Sequence, residues 1–191
     1  MNKIIGILGM QGAIAEHQEI LLQIPHTKTR IVKTAKDLDC IDGLILPGGE
    51  STAIGKLLDY FSLKEILQQK IISGLPVFGT CAGLILLAKN IENQTNTHLA
   101  TMDITVKRNG YGSQLDSFST NLLIPTIDKN MSIPLVFIRA PYITKTDKDV
   151  QILATLDNKI IAARQKNMLV SSFHPELTCD LRFHQYFLSM I

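Results

Sequence analysis

The first half of the chain alternates short apolar runs with amphipathic stretches. The stretches, notably residues 14–24 and 57–72, carry their apolar positions at helical spacing. The runs have the length of buried strands and read KIIGIL, TRIV, DGLILP and LPVFG. Strands that are apolar on both faces and separated by helices indicate a parallel sheet with helices on both sides.

The second half has a different pattern. Residues 98–127 are polar and rich in strand and turn signals, and four apolar runs follow at hairpin-like spacing, with a predicted turn at Asp157-Asn158. Residues 180–191 read as a closing amphipathic helix. We therefore predict one α/β domain over residues 1–191, a three-layer sandwich with a mostly parallel central sheet and added antiparallel strands.

The composition of the chain indicates its class, its possible partners and its compartment. The chain is 46% hydrophobic and 19% charged, as a globular protein is, and its net charge of +2 includes no run of Lys and Arg. We expect neither nucleic acid nor a membrane as its partner. Its three cysteines are widely spaced, which is typical of a reducing compartment, and no apolar run is long enough to span a bilayer. We expect a soluble, cytoplasmic protein.

One cysteine stands where a predicted strand becomes a predicted helix. The segment Gly79-Thr-Cys-Ala-Gly83 has the form of a nucleophile elbow with sulfur in place of oxygen. Glycines are needed in so tight a turn, and the start of the helix favours a thiolate. Cys81 is the predicted nucleophile. Cys40 and Cys179 have no glycine flanks and are predicted to be small buried hydrophobic residues.

A thiolate nucleophile needs a base, and the base needs a group that orients it. His174 and Glu176 follow an apolar strand and are separated by Pro175. In an extended chain residues i and i+2 point to the same side, so Glu176 is predicted to hold His174 against Cys81. The remaining histidines are isolated in sequence, and we expect them to be structural or exposed: His17, His26, His98 and His184. No set of ligands at convincing spacing indicates a metal site.

The segment Leu46-Pro-Gly-Gly-Glu-Ser51 ends another predicted strand. Its adjacent glycines, Gly48 and Gly49, let backbone N–H groups turn toward a neighbouring site, as an oxyanion hole requires. Ser51 is predicted to cap the helix that follows.

The order of these motifs resembles that of the class I, triad-type glutamine amidotransferases. Within them the chain resembles the family of glutaminase subunits of pyridoxal 5′-phosphate synthase. The matching stretches cover nearly the whole chain, at residues 8–13 with 16–17, 44–52, 78–84, 108–109 with 112 and 114, 116–118, 137–141 and 172–177. The resemblance implies the flavodoxin-like fold of class I amidotransferases.

The resemblance also implies a reaction. Cys81 would form a thioester with L-glutamine and release ammonia and then L-glutamate, with His174 as base and then acid and Glu176 orienting it. No cofactor is implied. The residues expected to contact glutamine, by their position in the motifs, are Gly49, Glu50, Ser51, Arg108, Ile138 and Arg139. An arginine suits the α-carboxylate of glutamine because it can bind it with two parallel hydrogen bonds.

The family implies a partner as well. A synthase subunit would combine the ammonia with a pentose phosphate and a triose phosphate to form pyridoxal 5′-phosphate. The resemblance also implies that the glutaminase is nearly idle until it docks, when Gln11 and the Gly48-Gly49 peptide would rearrange. Three positions near Arg108 depart from the family pattern: Ser113 stands in place of a basic residue, Ser119 in place of Glu, and Tyr111 in place of Phe. None of these departures touches the triad.

Two other functions fit parts of the pattern. A stand-alone cysteine hydrolase of related topology would use a base from elsewhere and would not need Arg108 or the segment around Gly48. A non-catalytic glutamine-sensing module would have lost a triad member, whereas all three are present.

Overall fold

A computed structural model describes residues 2–110 and 117–191 of the chain. The strands of these residues are β1 Lys3–Leu8, β2 Thr27–Val32, β3 Gly43–Leu46, β4 Val77–Thr80, β5 Ala88–Ile91, β6 Met102–Lys107, β7 Ser117–Leu122, β8 Ile133–Ile138, β9 Tyr142–Thr146, β10 Gln151–Leu156, β11 Lys159–Gln165 and β12 Met168–Ser171. The α-helices are α1 Ile14–Leu22, α2 Ser51–Tyr60, α3 Lys64–Ile72, α4 Ala82–Leu87 and α5 Arg182–Leu188. Short 3₁₀ helices cover Ala35–Cys40 and Pro175–Leu177.

One large sheet runs through the molecule in the order β2-β1-β3-β4-β12-β11-β9-β6-β5, with β10 paired to β11. The first five strands of this order are all parallel, and β11 joins them through an antiparallel pairing with β12. Strands β7 and β8 form a separate antiparallel pair. The predicted fold class, a mostly parallel sheet with added antiparallel strands, is confirmed.

Apolar residues on alternate positions of the central strands face two separate cores. Ile5 and Ile7 of β1 lie in the core under α1 and α5, whereas Leu44 and Leu46 of β3 lie in the core under α2, α3 and α4. The side chains of all four residues are fully buried. Helices therefore cover both faces, which explains why these strands are continuous apolar runs in the sequence.

The predicted helical stretch 57–72 is in fact two helices, and the first of them begins earlier, at Ser51. Helix α2 ends at Tyr60, Ser62 takes a left-handed φ of 55°, and α3 begins at Lys64. The backbone N–H of Leu63 bonds to the carbonyl of Leu58 at 2.9 Å, and Leu63 is buried in the core between the helices. Because Leu63 continues the apolar periodicity through the turn, the sequence pattern does not reveal the break.

The loops that carry the predicted site residues lie at one edge of the sheet, at the carboxyl ends of β1, β3, β4 and β12. The strand order reverses between β1 and β3, and open α/β sheets bind ligands at such a point. The matched positions Gly112, Gln114 and Asp116, and the departures at Tyr111 and Ser113, lie outside the described residues. None of the helices in the described part of the chain combines the length and the apolar composition needed to cross a bilayer.

Candidate active site

Cys81 occupies a strained corner between β4 and α4. Its φ of 47° and ψ of −95° are unfavourable for a residue with a side chain, and its N–H is held by the carbonyl of Ser171 at 2.8 Å. The flanking glycines are required by close packing. A Cβ on Gly79 would lie 2.6 Å from the backbone of Gly83, and one on Gly83 would lie 2.1 Å from the carbonyl oxygen of Leu46. The turn thus presents the thiol at the end of the strand.

His174 follows β12 and lies beside this thiol. Its ring interacts with Cys81 on one side, and its Nδ1 lies 2.7 Å from Oε1 of Glu176 on the other. Burial opposes the charged form of the ring, but the hydrogen bonds to Cys81 and Glu176 outweigh it and raise the pKa of His174 to about 10. The site therefore favours an imidazolium beside the sulfur.

Glu176 reaches His174 by a different local geometry from the one predicted. The prediction assumed an extended chain, but Pro175–Leu177 forms a 3₁₀ helix that starts directly after His174. Proline suits the first position of such a helix because an N–H at that position would have no acceptor within the helix, so its absence costs nothing. The turn folds the Glu176 carboxylate back onto Nδ1, and the side chain is fully buried. Burial opposes its charge, but His17 and His174 together lower the pKa of Glu176.

A cavity of about 490 Å³ opens beside these residues at the sheet edge. All the predicted site residues except Glu176 line it, namely Gln11, Gly48, Gly49, Glu50, Ser51, Cys81, Arg108, Ile138, Arg139 and His174. Glu176 lies behind His174, away from the cavity. The cavity is large enough for an amino acid, and charged groups of both signs face it.

The helix cap in this region differs from the prediction. Glu50, not Ser51, is the N-cap of α2, and its carboxylate accepts the N–H groups of Thr52 at 3.0 Å and Ala53 at 2.6 Å. Ser51 is buried, and its hydroxyl has no hydrogen-bond partner among the described residues. The Glu50 carboxylate has two oxygens and accepts both N–H groups at once, whereas a serine hydroxyl has a single oxygen.

The two arginines of the cavity have different surroundings. Arg108 lies 3.2 Å from Oε1 of Glu50 and donates to the hydroxyl of Thr52 at 3.3 Å. Burial opposes the charge of Glu50, but the two backbone N–H groups and Arg108 lower its pKa overall. Arg139 is exposed at the rim, has a left-handed φ of 41°, and forms no ion pair within residues 2–110 and 117–191.

The loops after β1 and β3 are joined directly. Oε1 of Gln11 accepts the N–H of Glu50 at 2.8 Å, and the carbonyl of Gly48 accepts the N–H of Ala13 at 2.9 Å. Gly48 also lies against the catalytic region, since a Cβ there would be 2.3 Å from Cε1 of His174. Gln11 therefore lies against the loop that carries the Gly48-Gly49 peptide.

Sequence reasoning missed the residues behind the triad. His17 and His184 are isolated histidines in the sequence, yet both are fully buried, and Nδ1 of His17 lies 3.0 Å from Nε2 of His184. The sequence contains a feature that could have indicated the role of each histidine. His17 closes the first matching stretch, and His184 falls on the buried side of α5 with Phe183, Phe187 and Leu188. The described residues contain no cluster of His, Cys, Asp and Glu placed to hold a metal ion.

Comparison with known proteins identifies the family. The model of the SNO glutamine amidotransferase family matches residues 7–191. The chain belongs to this family. The family resemblance seen in the sequence is thereby confirmed, and so is the expectation of an enzyme.

Relatives of this amidotransferase are similar over their full length. The pyridoxal 5′-phosphate synthase subunit PdxT of Ruminiclostridium cellulolyticum is 53% identical over 189 residues, covering 99% of this chain and 100% of that protein. The subunit of the same name from Carboxydothermus hydrogenoformans is 54% identical over 187 residues, covering 98% and 97%. A solved structure of a glutamine amidotransferase superposes with a TM-score of 0.90 at 39% identity and covers 97% of both chains.

Proposed function

We propose that this chain is the glutaminase subunit of a pyridoxal 5′-phosphate synthase, with Cys81, His174 and Glu176 as its catalytic triad. The observation that carries the proposal is the unbroken line from the thiol of Cys81 through His174 to Glu176 at the edge of a cavity of amino-acid size. Full-length similarity to synthase subunits named PdxT supports the same function.

The first half of the reaction forms a thioester. The Cys81 thiolate attacks the side-chain amide carbon of L-glutamine, and the C–S bond forms as the carbonyl oxygen takes up charge. His174, protonated by virtue of its raised pKa, donates a proton to the departing nitrogen. The C–N bond then breaks, and ammonia leaves the glutamyl thioester behind.

The second half returns the enzyme to its starting state. His174, now neutral, takes a proton from a water molecule that attacks the thioester carbon. Cleavage of the C–S bond releases L-glutamate and regenerates the thiolate beside an imidazolium. Glu176 keeps Nδ1 of His174 protonated throughout, so Nε2 is the nitrogen that exchanges the proton.

Charged groups at the cavity rim are proposed to bind the amino-acid end of glutamine. Of the two arginines that line the cavity, Arg139 forms no ion pair with the described residues, so it is the better placed to bind the α-carboxylate. Arg108 holds Glu50 beside it and contributes positive charge. Gly49, Glu50, Ser51 and Ile138 complete the proposed contacts with the substrate.

The oxyanion hole is proposed to depend on the partner. The Gly48 carbonyl bonds to Ala13, so the N–H of Gly49 in the same trans peptide points away from Ala13. Glycine on both sides makes rotation of this peptide sterically cheap. We propose that docking of the synthase subunit acts through Gln11, which holds the next N–H of this loop.

One glutaminase domain is proposed for residues 1–191. The sheet is continuous from β2 to β5, and the family match covers residues 7–191. No synthase activity is assigned to this domain, so the ammonia is proposed to pass to the synthase subunit.

Isotope transfer tests the proposal. Glutamine labelled with ¹⁵N in its side-chain amide should place ¹⁵N in the pyridoxal 5′-phosphate made by the assembled complex. With Cys81→Ala the label should be absent, while added unlabelled ammonium should still be converted to product. Equal labelling with the Cys81→Ala subunit would refute the proposal.

A further inference from the structure

Glu176 has a second buried contact that the triad does not use. Its Oε1 faces His174, but Oε2 points the other way, 3.5 Å from Nε2 of His17, and has no hydrogen-bond partner among the described residues. His17 lies on α1, its side chain is fully buried, and the same Nε2 lies 3.2 Å from the hydroxyl of Thr80. The carboxylate therefore lies between two imidazoles, one on the cavity side and one on the side of the core.

His17 is itself held by a second histidine. Its Nδ1 lies 3.0 Å from Nε2 of His184, which α5 brings in from the far end of the chain. His184 is also fully buried. Three separate elements thus supply the line of groups behind the nucleophile: the 3₁₀ helix with Glu176, α1 with His17, and α5 with His184.

The hydrogen bonds of this line fix the tautomers of both rings. Nδ1 of His184 has no hydrogen-bond partner among the described residues. A buried N–H without an acceptor is costlier than a bare lone pair, so this nitrogen carries no proton and Nε2 of His184 is the donor. Nδ1 of His17 then accepts, which leaves Nε2–H of His17 to donate to the hydroxyl of Thr80 and to face the carboxylate of Glu176. The opposite direction would place a lone pair of His17 against a carboxylate.

Both rings remain neutral in this arrangement. Phe78 lies edge-on to each of them, with ring centroids 6.4 Å from His17 and 5.8 Å from His184. The groups that act on His17 are Glu176, which favours its charge, His174, which opposes it, and Glu16. Burial outweighs them and lowers the pKa of His17, and burial and His17 lower that of His184 to about 3. A neutral donor can orient a carboxylate without neutralising it.

We propose that His17 is a positioning residue of the glutaminase. Its Nε2–H, in the tautomer that His184 fixes, holds Oε2 of Glu176 so that Oε1 stays directed at Nδ1 of His174. This inference rests on the triad of the proposed function. It adds that the geometry of the triad is set from the core side by α1 and α5, and it excludes His17 as a second base.

Substitutions that keep or remove the donor test the role. His17→Gln places an amide N–H near the position of Nε2, whereas His17→Leu leaves an apolar side chain. In the complete complex, His17→Leu should lower kcat for glutamate release about 10- to 100-fold, as expected when a buried carboxylate loses the polar N–H that faces it. KM for glutamine should stay unchanged because His17 does not line the cavity. His17→Gln should recover most of the loss in kcat.

A matched control separates positioning from simple destabilisation. Leu21 lies one turn further along α1 and is also fully buried. Leu21→Ala should lower the melting temperature while kcat per folded molecule stays near the wild-type value. If His17→Leu and His17→Gln both keep wild-type kcat, or if both lose it equally with an unchanged fold, the proposed role is overturned.

The tautomers of His17 and His184 can be measured in the wild-type protein, without a substitution and without an activity assay. Nitrogen NMR of ¹⁵N-histidine-labelled protein should show His17 and His184 as neutral rings protonated at Nε2 throughout the neutral pH range. Protonation of His17 at Nδ1, or its titration near pH 7, would overturn the inference. Such a result would leave the isotope-transfer test of the triad untouched, so the two failures are distinguishable.

Discussion

The three cysteines differ sharply in their surroundings. The prediction that Cys40 and Cys179 are buried is wrong, since both are exposed. Cys81 is 7% exposed and is the one that lines the cavity. A glutamine-analogue electrophile should therefore label Cys81 and spare the other two, because recognition in the cavity brings it to that sulfur. Peptide mass mapping after labelling gives the site directly. A small neutral thiol reagent serves as the control and should modify the exposed pair first.

His174 should lose its unusual basicity when either neighbour is changed. Glu176→Gln removes a charge that favours the imidazolium, so it should lower the pKa of His174 from about 10 toward its ordinary value. Histidine NMR over a pH titration measures the change. Glutamate release should fall in Glu176→Gln and fall further in His174→Asn, by about 10²–10⁴-fold as a lost general acid and base predicts. An unchanged rate in His174→Asn would place the base elsewhere.

The proposed triad could be picked out from the sequence because each member lies in a short local pattern. The glycines around Cys81 and the proline before Glu176 indicate tight turns at the ends of apolar runs. His17 and His184 could not be assigned in the same way. Their partner is defined only when α1 and α5 pack against the same side of the sheet, and they are separated by 167 positions.

At the scale of elements, the start of α2 depends on Glu50. Glu50→Ala removes the acceptor of two backbone N–H groups and should lower the free energy of unfolding by about 0.5–2 kcal/mol, the usual effect of losing an N-cap. Urea denaturation measures this change. Ser51→Ala is the matched control and should have a much smaller effect, because the Ser51 hydroxyl makes no hydrogen bond with the described residues. If Ser51→Ala lowered the free energy of unfolding more than Glu50→Ala does, Ser51 and not Glu50 would be the N-cap.

The strands were predictable where burial on both faces makes them continuous apolar runs, as in β1, β3 and β4. The two-helix structure of residues 51–72 was not, because Leu58 and Leu63 keep the apolar period across the turn at Ser62. The 3₁₀ helix after His174 was also missed. Three residues are too few to show a period, so only the folded geometry distinguishes it from an extended chain.

At the scale of the whole molecule, regulation is expected to pass through the contact between Gln11 and the loop after β3. Gln11→Ala removes the acceptor of the Glu50 N–H and should abolish most of the stimulation by the synthase subunit. Labelling of Cys81 should persist. Gln18→Ala is the control, since Gln18 lies on α1 but bonds to Thr29 instead. Full stimulation of Gln11→Ala would remove Gln11 from the coupling.

The parallel sheet of the first half was predictable, but the position of β12 within it was not. Residues 168–171 follow an antiparallel hairpin in sequence, yet they also pair in parallel with β4, so His174 comes to lie beside Cys81. Pairing between segments about ninety positions apart leaves no trace in local periodicity. The resemblance to a family supplied this juxtaposition, and hydrophobic patterning alone did not.

Glutamate release from L-glutamine tests the central claim most directly. The free chain should hydrolyse glutamine slowly, and saturating synthase subunit should raise the rate about 10²–10³-fold, the typical contribution of one oxyanion-hole donor. Cys81→Ala should show no release in either state, while Cys40→Ala and Cys179→Ala should behave as the wild type. Release at the wild-type rate by Cys81→Ala would contradict the account, and a high rate indifferent to the synthase subunit would favour an independent hydrolase.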